Sequence, residues 1–390
     1  MSPDPISSFE GGVIRKPTYL KLHRWLGLTV GLFLMIQGLT GATLAFRDAL
    51  EPVVVPALIV PARAERLPVQ GLILAFHRAH PDADLTRAEF PDAANQAVIF
   101  KSNIKKARWL TAIDPFDGRV VHDGTATAWP LEFIFNIHEQ LLSGPVGETL
   151  IGIEGLALLT LAIFGIAFWW PGRKRLKQGF KLKLDGSADL RWRTLHRAVG
   201  GGVALILLMS ATTGVLMVWK EPVRGAMNLV ARTEGRPSPK VAKLDGAAMV
   251  AMDPLIARAK ARYGDTTFRQ LRFSSGGRVV AVFLDSNRTV RADGTTQVYY
   301  NRYDGSELAH YVAGTQSGGA EFLDWLYTFH TGLWGGAVTQ AVMLLTGLTL
   351  FGMAFSGLWL WYTRTRRDRA RKAARAADQQ EKATMKAASR

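Results

Sequence analysis

Residues 22–46 read LHRWLGLTVGLFLMIQGLTGATLAF, and residues 195–219 read LHRAVGGGVALILLMSATTGVLMVW. Laid over each other without a gap, they pair His23-Arg24 with His196-Arg197, Gly27 with Gly200 and Thr40-Gly41 with Thr213-Gly214. Just beyond, Arg47-Asp48 pairs with Lys220-Glu221. Each stretch is apolar over the ~20 residues a helix needs to cross a ~30 Å hydrocarbon layer. A second pair of apolar runs repeats in the same manner. Aligning His138 with His330 pairs Gly144 with Gly336, Gly155 with Gly347, Gly165 with Gly357 and Trp169 with Trp361. The chain therefore reads as two tandem copies of span, long segment, span. Two spans per copy keep the copies in one orientation, as parallel repeats about an axis near the membrane normal.

The first run, preceded by Arg15, Lys16 and Lys21, is too long for a cleavable h-region of ~7–15 residues and is expected to be a retained anchor. Charge sets the expected orientation. Residues 1–24, 171–197 and 363–390 together hold 23 Lys/Arg and 7 acids, which accounts for the whole net charge of +16. The two long segments between spans hold 25 Lys/Arg and 24 acids, close to neutral. The positive-inside rule then places both termini and the central loop in the cytoplasm and the long segments outside. The basic balance is topological and argues against nucleic acid as a partner. The tail after Trp361, with Arg364, Arg366, Arg367, Arg369, Arg371 and Lys372, is expected against anionic lipid headgroups, and from Ala370 on as a frayed helix or disordered tail.

The expected division follows. A cytoplasmic N-terminus covers 1–21, and the spans cover 22–46, 149–170 and 196–219, with an outer-face His330 and the fourth span at 329–362. Outside segments cover 47–136 and 220–328, an interfacial helix carrying His138 covers 137–148, and basic cytoplasmic segments cover 171–195 and 363–390. In the first outside segment the spacing of Leu72, Ala75, Phe76 and Ala79 predicts a helix over 67–80, followed by strands at 97–101 and 109–113. Asp114-Pro115-Phe116-Asp117-Gly118 then predicts a tight turn. The second segment predicts a helix over 247–263, strands near 268–273, 278–284 and 298–303, and a turn at Asp304-Gly305. Two small α+β domains are expected, each marginal in isolation.

The chain has no cysteine, which excludes thiolate metal sites, iron–sulfur clusters, c-type haem attachment and disulfides. Four histidines at matching places on four spans point to two pairs of axial haem ligands. His23 and His196 stand at the inner ends of outgoing spans, and His138 and His330 near the outer ends of returning ones. Pairing equivalent residues, His23 with His196 and His138 with His330, avoids bridging the bilayer, and two imidazoles on facing helices clamp a haem in a bundle. The helix carrying His138 is expected to break at Ser143-Gly144-Pro145. Gly27, Gly31, Gly200, Gly201 and Gly202 would let a flat macrocycle approach the backbone. Arg24 and Arg197 would pair with haem propionates or, equally, snorkel to the headgroups. Arg47 and Lys220 read as interfacial.

Glu154, an intramembrane carboxylate matched by Thr346, reads as a proton or quinol site, with a neutral carboxyl hydrogen-bonded to a neighbouring helix as the plainer reading. Gln37 reads as interhelical glue. His77 and His80 read as a solvated face, and His122 and His310 follow the hairpin turns. Trp129, Phe133, Phe135, Trp325, Tyr327, Phe329 and Trp334 read as an interfacial belt.

A His-Arg opening a span, a helix–sheet segment ending in Asp-Pro-x-Asp-Gly and an Ile/Phe-His ahead of the next span resemble the PepSY-associated transmembrane family over about residues 15–366. The second copy departs at Asn301-Arg302-Tyr303, where the first has Asp114-Pro115-Phe116. The resemblance implies a bacterial inner-membrane protein, a membrane α-helical fold of four transmembrane helices in a tandem parallel repeat, with two small α+β PepSY-like periplasmic domains. It is similar to haem-containing ferric-siderophore reductases and to iron-regulated membrane proteins. The expectation is a di-haem b oxidoreductase, one haem near each face, with no catalytic residues beyond the haem ligands. It would reduce an extracytoplasmic acceptor, a ferric siderophore, to release ferrous iron. No G-x-G-x-x-G follows a strand, so electrons would come from the quinol pool or a cytoplasmic reductase. The rival expectation is a PepSY-type binding or regulatory module for a peptidase or other partner, anchored in the membrane without redox activity. Transport ranks last, because few charges lie inside the spans.

Overall fold

The computed structural model describes residues 16–264, 266–286, 296–312 and 314–388. Most of the expected N-terminal segment, 1–21, lies outside the described residues. Eight of the helices among the described residues organise the chain. In order they are α1 (Lys16–Leu44), α2 (Val69–Ala79), α3 (Pro130–Gln140), α4 (Gly144–Trp169), α5 (Ala188–Val218), α6 (Met252–Tyr263), α7 (Gly318–Thr331) and α8 (Gly336–Ala388). Four of them, α1, α4, α5 and α8, are long and apolar enough to cross a membrane.

Helix bounds differ from the expected spans for local reasons. α1 and α5 begin several residues before the apolar runs, so His23 and His196 lie inside helices and not at their ends. α8 is 53 residues long and runs unbroken to Ala388, where a frayed or disordered tail was expected. Its Ala, Arg, Lys and Gln are strong helix formers. Arg364–Asp368 and Asp378–Lys382 add ion pairs one turn apart. The histidine-bearing segments are separate short helices. α3 ends at Leu141 and Leu142, both at positive φ, just ahead of the break expected at Ser143-Gly144-Pro145, and the expected 137–148 helix is in fact 130–140. His330 is not continuous with the fourth span: α7 ends at Gly332, whose left-handed backbone (φ 78°) turns the chain before α8.

Contacts divide the described chain into two compact units. One comprises the described residues up to Leu39, Gly152–Val215 and the described residues from Leu345 on, and is built of long helices. Small residues set its packing: a Cβ on Gly38 would sit 2.6 Å from the Gly347 carbonyl, and one on Gly155 would sit 2.6 Å from Val215 Cγ2. This is the close backbone approach by which membrane helices pack without a hydrophobic driving force.

The other unit comprises Thr40–Ile151 and Leu216–Leu344 and contains one sheet. Its strands are β1 (Asp84–Glu89), β2 (Val98–Ile104), β3 (Ala107–Ile113), β4 (Val120–Thr125), β5 (Thr266–Ser274), β6 (Val279–Ser286), β7 (Thr296–Asn301) and β8 (Glu307–Tyr311). The order is β4-β3-β2-β1-β5-β6-β7-β8, antiparallel throughout. The two expected α+β domains are thus one body, joined where β1 pairs with its own repeat equivalent, β5, at Ala88↔Leu271. A single core follows. Phe76, Phe100 and Val98 from the first copy pack with Leu255, Leu271, Val282 and Tyr300 from the second. Halves of this size bury too little apolar surface alone, and fusing them removes an exposed edge from each.

The two sheet helices cap each other. The Asp253 carboxylate accepts from the backbone N–H groups of Val69 and Gln70 at the start of α2 (2.8 and 3.0 Å), and Gln70 Oε1 accepts from Met252 N at the start of α6 (3.2 Å). Asp253→Ala strips the cap from a helix 180 residues away in sequence and should cost about 1–2 kcal/mol. Thermal unfolding of the purified protein would show it as a lowered Tm; an unchanged Tm would mean water replaces the cap without loss.

The turn in the second copy keeps the first copy's geometry despite its changed sequence. Asp114 Oδ1 accepts from Phe116 N (2.8 Å), and Asn301 Oδ1 accepts from Tyr303 N (3.0 Å). Gly118 and Gly305 both take positive φ, at 74° and 71°. Asn and Asp build the same side-chain turn, so the substitution is conservative where it counts.

Candidate functional site

α3 and α7 carry His138 and His330, and the structure brings these rings together, with centroids 6.2 Å apart and planes inclined by 46°. Each helix is fixed by an acid six residues before its histidine. On α3, Glu132 is 1 % exposed and holds three cations: Arg47 (2.6 Å), Arg108 (3.2 Å) and Lys101 (3.8 Å). Burial opposes its charge, but Lys101, Arg47 and Arg108 outweigh burial and hold the carboxyl below its ordinary range. On α7, Asp324 pairs with Arg236 (3.2 Å) and accepts from the Tyr311 hydroxyl (2.7 Å). The N-terminus of α7 is capped by Ser317, which accepts from Ala320 N. Arg47, expected as an interfacial residue, is instead the anchor of the His138 helix, and it also lies over the Phe135 ring (5.1 Å).

The ring of His138 is backed by α1. Its Nδ1 lies 2.9 Å from Thr40 Oγ1, and a Cβ on Gly41 would sit 3.0 Å from its Cε1. In the helical unit, His196 Nδ1 lies 2.7 Å from Ser356 Oγ, and Gly357 faces its Cε1. His23 faces Gly165, the repeat equivalent of Gly357, and meets Phe168 edge-on (6.5 Å). His23 Nδ1 is buried without a hydrogen-bond partner among the described residues.

Such residues fit a bis-imidazole cofactor. Two metal–nitrogen bonds of ~2.0–2.1 Å, plus about 1.1 Å from each nitrogen to its ring centre, place two imidazoles on one ion about 6.3 Å apart. The His138–His330 separation matches this. Among the described residues no cluster of three or more His, Cys, Asp or Glu could hold a metal ion, and a haem needs only two axial ligands from the chain.

The family model for the PepSY-associated TM region matches residues 20–364. The chain belongs to the PepSY-associated transmembrane family. No curated protein matches it significantly.

Several expected roles do not survive in this PepSY-associated chain. The glycine face expected to admit a macrocycle is filled by side chains: a Cβ on Gly201 would meet the Trp169 indole at 2.2 Å, and one on Gly200 would meet Met353 Cε at 2.7 Å. Gly31 packs against Leu358, while Gly27 and Gly202 lie against Leu161 and Phe180. Arg197 donates to the Gln178 and Lys181 carbonyls (3.2 and 3.1 Å), which ties down the loop after α4, and Arg24 is half-buried. Glu154 is 6 % exposed, and its Oε1 has no hydrogen-bond partner among the described residues.

His80, expected on a solvated face, pairs with Asp123 (3.1 Å), which also accepts from Trp109 Nε1 and Thr111 Oγ1 (2.7 Å each). His122 lies 2.8 Å from the Ala128 carbonyl, and His310 pairs with Glu307 (3.0 Å). Trp129 is fully buried against the sheet and is no belt residue. Trp325, Phe329 and Trp334 form an aromatic run on and after α7, beside His330 in sequence. The acids Glu132 and Asp324 were missed from the sequence. The alignment that pairs His138 with His330 also pairs them, and it would have found both.

Proposed function

We propose that the protein is a di-haem b electron-transfer protein of the bacterial inner membrane. It reduces an extracytoplasmic acceptor, a ferric siderophore in our reading, and releases ferrous iron. The observation that carries this is the His138–His330 pair, two imidazoles at the spacing one iron ion requires, each on a helix anchored by a buried or half-buried acid. Haem, when bound, supplies a reversible one-electron couple. The chain's residues do the rest. His138 and His330 would hold the outer haem and His23 and His196 the inner one, and a pair of histidines at each would favour electron transfer over oxygen chemistry. Arg24, next to His23 in sequence, would pair with a propionate, and Arg197, drawn to the loop carbonyls, is the weaker candidate. Charge asymmetry supports cytoplasmic termini and central loop, with the sheet unit on the periplasmic side and the basic end of α8 against anionic lipid.

The donor is the quinol pool or a cytoplasmic reductase. Glu154, an apolar-buried carboxyl with an unsatisfied oxygen, is the group in the spans suited to exchange a proton with quinol. A reduced-minus-oxidised spectrum of detergent-purified protein, with haem counted per chain, tests the reading. Two b-type haems are expected. Folded protein, expressed with haem available and carrying none, would end it.

A second reading, a membrane-anchored binding module, draws support from a cavity of about 280 Å³ in the sheet unit, lined by Leu67, Val69, Phe90 and Phe268 with Arg66 at hand. It accounts for the sheet and leaves the paired histidines without a role.

A further inference from the structure

Two of the four histidines share one kind of backing, a hydroxyl followed by a glycine. Behind His138 stands Thr40-Gly41, with the hydroxyl at Nδ1 and the glycine at Cε1. Behind His196 stands Ser356-Gly357 in the same arrangement. Thr213-Gly214 occupies the place of Thr40-Gly41 in the second copy, and Phe164-Gly165 occupies the place of Ser356-Gly357 in the first. Three of the four dipeptides are hydroxyl–glycine. The fourth puts Phe164 in place of the hydroxyl, and the Gly165 of that dipeptide faces Cε1 of His23 (3.8 Å), whose Nδ1 meets no side-chain hydroxyl among the described residues.

The hydroxyl geometry decides a tautomer. Ser356 has one hydrogen, and its Oγ lies 2.9 Å from the Met353 carbonyl, which can only accept. The 2.7 Å contact with His196 must then run from ring Nδ1–H to Oγ, leaving the Nε2 lone pair free. Helical threonines spend their hydrogen in the same way on the preceding turn. Thr213, the equivalent of Thr40, does so toward the Met209 and Ser210 carbonyls (3.0 and 2.9 Å). Thr40 with its hydrogen so placed accepts from His138 Nδ1–H. A ring held by its Nδ1–H presents Nε2 at a fixed angle and as a stronger base toward a metal.

We propose that Thr40 and Ser356 are positioning residues that lock His138 and His196 as Nδ1–H tautomers, with the proton kept off Nε2. At the place of Ser356 the first copy has Phe164, so His23 has no hydroxyl from that position, and its ring meets the Leu161 backbone instead. This rests on the haem reading above, but the tautomers themselves do not.

The test uses the full-length protein with 15N-labelled histidine, prepared without haem, and long-range 15N–1H correlation to read each ring. His138 and His196 are expected as Nδ1–H. Thr40→Val and Ser356→Ala should abolish that signature, Thr40→Ser and Ser356→Thr should keep it, and Phe164→Ser should confer it on His23. In haem-loaded protein, Thr40→Val and Ser356→Ala should each speed haem loss to excess apo-globin by ~10–100-fold, and Phe164→Ser should slow loss of the inner haem. An Nε2–H form at His138 or His196 overturns the proposal. So does unchanged haem loss in both hydroxyl-free variants, even where the protein carries two haems and the electron-transfer reading stands. A chain that takes no haem but shows the Nδ1–H pattern defeats that reading and supports this one.

Discussion

His138→Ala and His330→Ala should each reduce the haem content from two per chain to one, and both should remove the same centre. The rings lie 6.2 Å apart on separate helices, α3 and α7, so each is half of one site. Deleting either half leaves a single imidazole, and the double variant should be no worse than either single one. Such non-additivity is what groups acting as a unit produce. His23→Ala and His196→Ala should likewise agree with each other and remove the other centre, and His23→Ala with His138→Ala should remove both. Haem extraction with electron paramagnetic resonance of the oxidised protein would resolve the centres. The decisive comparison is within the outer pair. If His138→Ala and His330→Ala deplete different centres, the pairing by repeat equivalence is wrong, whatever the total haem count.

The repeat made much of this legible. Gapless pairing of 22–46 with 195–219 fixed the spans and the histidine set, because membrane helices are written in long apolar runs that tolerate no alternative. The sheet was legible only in part. β2, β3, β5, β6 and β7 are rich in apolar and β-branched residues and stood out, whereas β1 reads Asp-Leu-Thr-Arg-Ala-Glu and was passed over. Yet β1 lies at the centre of the sheet, where Leu85 and Ala88 face the core while Glu89 finds Lys101 and Arg87 on the other side. A strand whose polar face is satisfied by ion pairs carries no hydrophobic signature, and so the fusion of the two halves through β1 and β5 was invisible. Glycines misled for the opposite reason. Gly200 and Gly201 suggested an open surface, but a missing Cβ signals close approach without naming the neighbour, here Met353 and Trp169.

The largest loss of stability is expected from Glu132→Ala. The carboxylate is almost wholly buried and sits among Arg47, Arg108 and Lys101, and its removal leaves Arg47 with Glu51 alone, Lys101 with Glu89 alone and Arg108 without its buried partner. Breaking a buried ion pair from one side costs roughly 3–5 kcal/mol, because the remaining charge keeps its desolvation penalty. Arg47→Ala should cost less, since Arg108 and Lys101 still serve Glu132. The pH dependence has a definite sign. Burial alone would raise the carboxyl, but Lys101, Arg47 and Arg108 prevail and hold it below the ordinary value of 4.5. Its contribution is therefore complete above pH 4.5 and is lost as pH falls through the lower, folded-state value. Thermal unfolding across pH 3–7 should show the wild type losing more stability on acidification than Glu132→Gln, with the two curves converging at the acid end. Because Glu132 anchors the helix that bears His138, Glu132→Gln should also loosen the outer haem before the inner one. Equal loss from both centres would mean that Glu132 supports the sheet unit as a whole and not the histidine in particular.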